Sequence, residues 1–135
     1  AILPVLVPGA AAPKVVTREM VRSMGPGAVI VDVSIDQGGA SETSRPTSHS
    51  DPIYIDEGVV HYCVTNMPGA VPATSTQALT SATLPYVEEL AAYGVEEAMR
   101  RDRALAEALS TFNGQLVRGP VAETFGMPAA PNPFL

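Results

Sequence analysis

Apolar positions fall in short blocks along this chain, and the spacing inside each block differs. Residues 2–7, "ILPVLV", form a nearly unbroken apolar run closed by Pro8-Gly9, which predicts a short buried strand. Met20, Val21 and Met24 instead recur at helical spacing behind Thr17, a good N-cap, with Glu19 in the first turn. Gly25-Pro26-Gly27 stops that helix. Residues 28–35, "AVIVDVSI", place β-branched side chains on both faces, so the pattern predicts a strand covered on two sides, as in a parallel sheet. A third strand is predicted in "VVHYCVTNMPG" (59–69), again ending on a polar residue and a turn. Strand, short helix, strand is the βαβ order, and it points to an α/β fold with a doubly wound parallel sheet.

Between these strands, residues 38–58 are rich in Ser, Thr, Pro and Gly and read as one long polar excursion, a feature often tied to function. The pattern changes after Pro72. A long helix is predicted there, capped by Ser75 or Thr76, carrying Leu79, Tyr86 and Leu90, kinked at Pro85 and ended by Gly94. Two short helices follow, the second with Asp102 as N-cap. Asn113-Gly114 between β-type residues predicts a hairpin, Pro120 opens a last helical turn, and "MPAAPNPFL" reads as a loose tail.

Composition narrows the class. The chain has 135 residues, enough for one ordinary core. Its 8 basic and 14 acidic residues give a net charge of −6, and Lys14 is the only lysine, so a phosphate-backbone partner is not expected. No apolar run approaches the roughly 20 residues of a membrane span, and no signal peptide is visible, which makes a cytoplasmic setting the default expectation. Cys63 has no second cysteine to pair with. The opening "AILPVLVPG" lacks a methionine and drops straight into a strand, so the chain reads as a piece of something larger.

In open α/β sheets, ligands bind beyond the carboxyl ends of the strands. Three such ends are visible, "LVPG" (6–9), "SIDQGG" (34–39) and "TNMPG" (65–69), each closing on glycine. Asp36 is the ionisable group at one of these tips. Two readings of it stand: a carboxylate delivered to a crevice, or the ordinary aspartate of a turn before Gly38-Gly39. Asp32, mid-strand, suits a local hydrogen-bonding role, His61 a satisfied core histidine, His49 a surface or loop-ordering position and Cys63 a small core hydrophobe. No Ser-His-Asp spacing, metal signature or phosphate-cradling glycine loop is present.

Four stretches carry a resemblance: "VLVPGAAAPKVVTREMV", "PGAVIVDVSIDQGGASETSRPTSHSDP", "VVHYCVTNMPGAVPATSTQALTSATLPYV" and "PVAETFGMP". Together they resemble the C-terminal part of the alanine dehydrogenases, over essentially the whole chain, with the transhydrogenase alpha subunits as the alternative. That resemblance implies an NAD-dependent enzyme that oxidatively deaminates L-alanine to pyruvate and ammonium, commonly as a homo-hexamer. It implies the second half of a Rossmann-type NAD domain over residues 1–72, an interdomain helix over 73–93, and the mostly helical end of the substrate domain over 94–135.

The resemblance also implies site residues. Val5, Leu6 and Val15 match positions lining the cofactor. Val33, Ser34, Ile35 and Asp36 match the strand end beneath the nicotinamide ribose, and Val64, Thr65, Asn66 and Met67 match the third strand end. Asp36 matches the family's catalytic aspartate. The family's catalytic histidine, substrate-gripping lysine and arginine, and glycine-rich phosphate loop lie upstream of the matched region, so the isolated chain is expected to be inactive. Lys14 does not match the gripping lysine. Ala11 and Ala40-Ser41 depart from what relatives often carry. Where some relatives place a metal on Glu and His one helical turn apart, this chain has Glu89 and Tyr93, and no metal is expected.

Overall fold

The computed structural model describes all 135 residues and divides into two compact units, Ala1–Ala70 and Val71–Leu135. The first is a mixed α/β unit. Strands β1 (Ile2–Leu3), β2 (Val29–Asp32) and β4 (Val59–Tyr62) are parallel, and β3 (Ile53–Asp56) joins β4 antiparallel, in the order β1-β2-β4-β3. Helix α1 (Arg18–Ser23) starts at Thr17, whose side chain accepts from Met20 N–H as the spacing predicts.

The core lies between α1 and one face of the sheet. Leu3, Val21, Ile30, Ala40 and Val59 form it, with Val5, Val16, Met24 and Ala28 packed around. Each large aliphatic side chain removed from water there contributes about 1.5–3 kcal/mol. The opposite sheet face departs from expectation. Val29 is 46% exposed and Ile55 72% exposed, while α1, the one α-helix of the unit, packs on the other face.

The strands are also shorter than the apolar runs. β1 ends at Leu3, where Pro4 lacks an N–H for the ladder, and β2 gives way to a 3-10 turn at Val33–Gln37. Strand β3 falls inside the stretch read as a polar excursion. Its hairpin to β4 turns on Glu57 and Gly58, with φ of 52° and 76°, the left-handed pair that a two-residue turn requires. Arg18 and Arg22 tie α1 to that turn through Asp56 and Glu57, at 2.8–2.9 Å.

The second unit is mostly helical. Helix α2 (Pro72–Tyr93) begins earlier than expected, with Pro72 in its first turn, where a missing N–H costs nothing. Ser75 and Thr76 therefore lie inside the helix and are not its cap. The helix passes Pro85 and ends at Gly94, φ 74°. Helices α3 (Val95–Arg101) and α4 (Arg103–Ala108) follow, with Asp102 capping α4 through Ala104 N–H at 2.7 Å. Strands β5 (Thr111–Phe112) and β6 (Gln115–Leu116) flank Asn113-Gly114, and α5 (Gly119–Phe125) closes the set. The terminal segment is anchored rather than loose. Asn132 Nδ2 donates to Ala106 O, Ala130 N to Leu116 O, and Phe134 meets Phe112 edge to face at 5.2 Å.

Candidate functional site

Because β1, β2 and β4 are adjacent and parallel, their carboxyl ends share one edge of the sheet. Ser34 ties two of them together: its hydroxyl donates to Leu3 O at 2.8 Å and accepts from Val5 N–H at 2.7 Å. The side chains of Ser34, Ile35 and Val64 are buried, so these residues shape the edge from within. Leu6, Val15, Val33, Asp36, Thr65 and Asn66 are exposed along it, while Val5 and Met67 are half-buried. Leu6 at 69% and Val33 at 47% leave aliphatic surface open at the strand ends.

Asp36 stands on the 3-10 turn, not on the strand itself. That turn forms because Asp32 Oδ1 accepts from Ser34 N–H at 3.0 Å, the local bond an aspartate offers two residues ahead. Gly38 and Gly39, with φ of 95° and 77°, end it. A Cβ on Gly39 would lie 2.8 Å from Ser44 Cβ and 3.0 Å from Asp32 Oδ2, so both conformation and space require glycine there. Gln37 Oε1 is buried without a hydrogen-bond partner, an unmet acceptor next to Asp36.

The local role expected of Asp32 is observed. Its fully buried carboxylate accepts from the N–H groups of Ser34, Ala40 and Ser41 and from the Ser44 hydroxyl. Four donors compensate a charge that burial would otherwise penalise heavily. His61 is likewise a satisfied core histidine. Its Nδ1–H donates to Val59 O at 2.9 Å, its Nε2 meets Thr43 Oγ1 at 2.7 Å, and its ring stacks on Tyr54.

Burial pushes the Tyr54 phenol well above its ordinary pKa, aided by its hydrogen bond to Cys63. Tyr54 donates to Thr43 O, and the Arg45 guanidinium lies 3.9 Å from its ring centroid. These contacts hold the 41–45 loop against β3 and β4.

At the third strand end, Asn66 adopts φ 55° and its carbonyl accepts from both Gly69 N–H and the His49 ring, so His49 does order a loop. No group of three or more His, Cys, Asp or Glu side chains suited to a metal forms, and no helix is long and apolar enough to cross a membrane. Sequence reasoning gave Lys14 no role at the edge and passed over Ser44, whose hydroxyl donates to Asp32. Lys14 Nζ donates to Gly38 O and Gly39 O, a contact across 24 and 25 residues that no local pattern announces.

Fold and edge together define an α/β protein whose exposed acid, glycine turn and aliphatic surface gather at the carboxyl ends of parallel strands. The chain belongs to the alanine dehydrogenase/PNT C-terminal domain family, whose model matches residues 1–119. It is 58% identical over 123 residues to the alanine dehydrogenase of Halomonas elongata, covering 91% of this chain and 33% of that protein. The alanine dehydrogenase of Mycolicibacterium smegmatis is 54% identical over 124 residues, covering 92% and 33%. The chain thus spans about a third of the length of these curated relatives. Among solved structures, an L-alanine dehydrogenase matches with TM-score 0.74 and 52% identity, covering 93% of this chain and 34% of that one. A transhydrogenase from Sinorhizobium meliloti matches with TM-score 0.65 and 28% identity, covering 86% and 32%.

Proposed function

We propose that this chain supplies the nicotinamide-facing part of an NAD-dependent alanine dehydrogenase, which converts L-alanine to pyruvate and ammonium and runs the reverse reductive amination. The carrying observation is Asp36, exposed on a capped turn at the edge where the parallel strands end. Identity of 52–58% to alanine dehydrogenases against 28% to a transhydrogenase favours this reading. On it, residues 1–72 form the second half of a Rossmann-type NAD domain, 73–93 an interdomain helix and 94–135 part of the substrate domain, in a homo-oligomer.

The edge fits the ring end of such a cofactor. Leu6, Val15 and Val33 offer exposed aliphatic surface for a flat ring, and the Asn66 turn brings backbone close by. Val5, Ser34, Ile35, Val64, Thr65 and Met67 complete that wall. Bound NAD would supply the hydride acceptor for the alanine Cα. Asp36 then handles protons: its carboxylate orients the water that replaces nitrogen and accepts a proton from it. Acid–base assistance of this kind contributes roughly 10²–10⁴-fold, with proximity of the bound pair adding more.

The test is L-alanine-dependent NADH formation by the full-length protein. Its absence, with hydride exchange between two nicotinamide nucleotides instead, would overturn the proposal in favour of a transhydrogenase. The isolated 135-residue chain is expected to form no NADH.

A further inference from the structure

The two glycines after Asp36-Gln37 have the greatest backbone freedom in the site, yet every backbone polar group from Gly38 to Ala40 is committed. Gly38 N–H and Gly39 N–H donate back to Ile35 O and Ser34 O, at 3.0 and 3.1 Å. The segment 12–16 runs alongside and donates from Ala12 N to Gln37 O, then from Val15 N and Val16 N to Ala40 O. That backbone ladder skips two carbonyls, those of Gly38 and Gly39. Lys14 Nζ takes both, at 2.5 and 2.8 Å. On the far side, Asp32 Oδ2 accepts from Ala40 N–H at 2.8 Å.

The Gly39–Ala40 peptide is therefore held at both poles, its carbonyl by an ammonium and its N–H by a carboxylate. Charge-assisted bonds are the stronger class, and a peptide dipole aligned between opposite charges resists rotation. Glycine lets the chain reach φ of 95° and 77°, and the two charges then remove the mobility glycine would bring.

We propose that Lys14 is a positioning residue, acting with Asp32 as a two-sided clamp that fixes the turn bearing Asp36. This rests on the proposed function for its purpose, though not for its existence. Lys14 is exposed apart from these contacts, so its substitution leaves the core intact.

The test compares Lys14→Met and Lys14→Arg in the full-length protein. Amide hydrogen exchange over residues 33–41 without cofactor is expected to quicken about tenfold in Lys14→Met and to stay near wild type in Lys14→Arg, which keeps donors for both carbonyls. In the alanine assay, kcat of Lys14→Met is expected to fall about tenfold with KM for NAD within about twofold, and Lys14→Arg to recover most of it. Unchanged exchange in Lys14→Met would overturn the clamp. Faster exchange with unchanged kcat would overturn its positioning role. A wild-type protein inactive on alanine would instead sink the functional reading, with the exchange result still deciding the clamp.

Discussion

Thr43 Oγ1 lies 2.7 Å from Nε2 of His61, and both side chains are buried. Since Val59 O can only accept, the proton on Nδ1 is assigned to that bond, and Thr43 becomes the partner that satisfies the other ring nitrogen. Ser41 Oγ, 2.9 Å from Thr43 Oγ1, extends the chain of hydroxyls towards the loop held by Asp32. Replacing Thr43 by Val keeps the volume and strands the imidazole nitrogen. A loss of about 1–3 kcal/mol is expected in chemical denaturation, the cost of an unsatisfied buried polar group. Wild-type stability in that variant would show that the ring finds another partner.

Asp36→Asn keeps the shape of the turn and removes the carboxylate charge. In the full-length protein, alanine oxidation is expected to vanish while NAD affinity stays within about tenfold. Turnover at the wild-type rate would remove Asp36 from the mechanism.

Gly39→Ala meets two obstacles, the positive φ of 77° and the 2.8 Å approach to Ser44 Cβ. Backbone strain alone costs about 1 kcal/mol or more, and the clash displaces the loop bonded to Asp32. Thermal unfolding should register a lower Tm, whereas alanine at Gly38, where nothing lies within 4 Å of an added Cβ, meets only the conformational cost.

Glu57 gives the unit a dependence on acid. Hydrogen bonds from Arg22 and then Arg18 hold its carboxyl at a pKa of about 2, below the usual 4.5. Because the folded value is the lower one, the stabilisation is complete above about pH 4.5 and is lost as pH falls through about 2. Glu57→Gln is expected to flatten the stability profile across that window. A profile unchanged in shape would mean the α1-to-hairpin ion pairs contribute nothing measurable.

Ile30, fully buried at the centre of the core on β2, is the position where lost volume should matter most. Ile30→Ala is expected to cost about 2–5 kcal/mol by transfer and cavity terms. In the isolated 135-residue chain, Val29→Ala, at a position 46% exposed, should cost much less than Ile30→Ala, and equal losses would contradict the packing of the core on the α1 side.

Several elements were legible because their signals are local. Thr17 announces α1 by a bond three residues on, Asp102 announces α4, Asn113-Gly114 turns its hairpin, and Gly94 ends α2. Asp36 was legible only as a candidate: its string ending in two glycines left a crevice carboxylate and a turn aspartate both open, and the resemblance alone favoured the first. Strand β3 was not, since its residues alternate between an exposed apolar face and half-buried positions inside a Ser/Thr-rich stretch, and it gains its identity only by pairing with β4.

What the sequence determined by itself was the α/β class, the order of most elements and the family, all properties carried by neighbours in the chain or by pattern along it. Only the tertiary structure decided where the strands stop, which sheet face is covered, how the terminal segment is anchored, and that Lys14 and Asp32 grip one peptide from opposite sides. The reason is distance along the chain. A hydrogen bond spanning 25 residues has no local signature, because its geometry exists only once the segments between have packed.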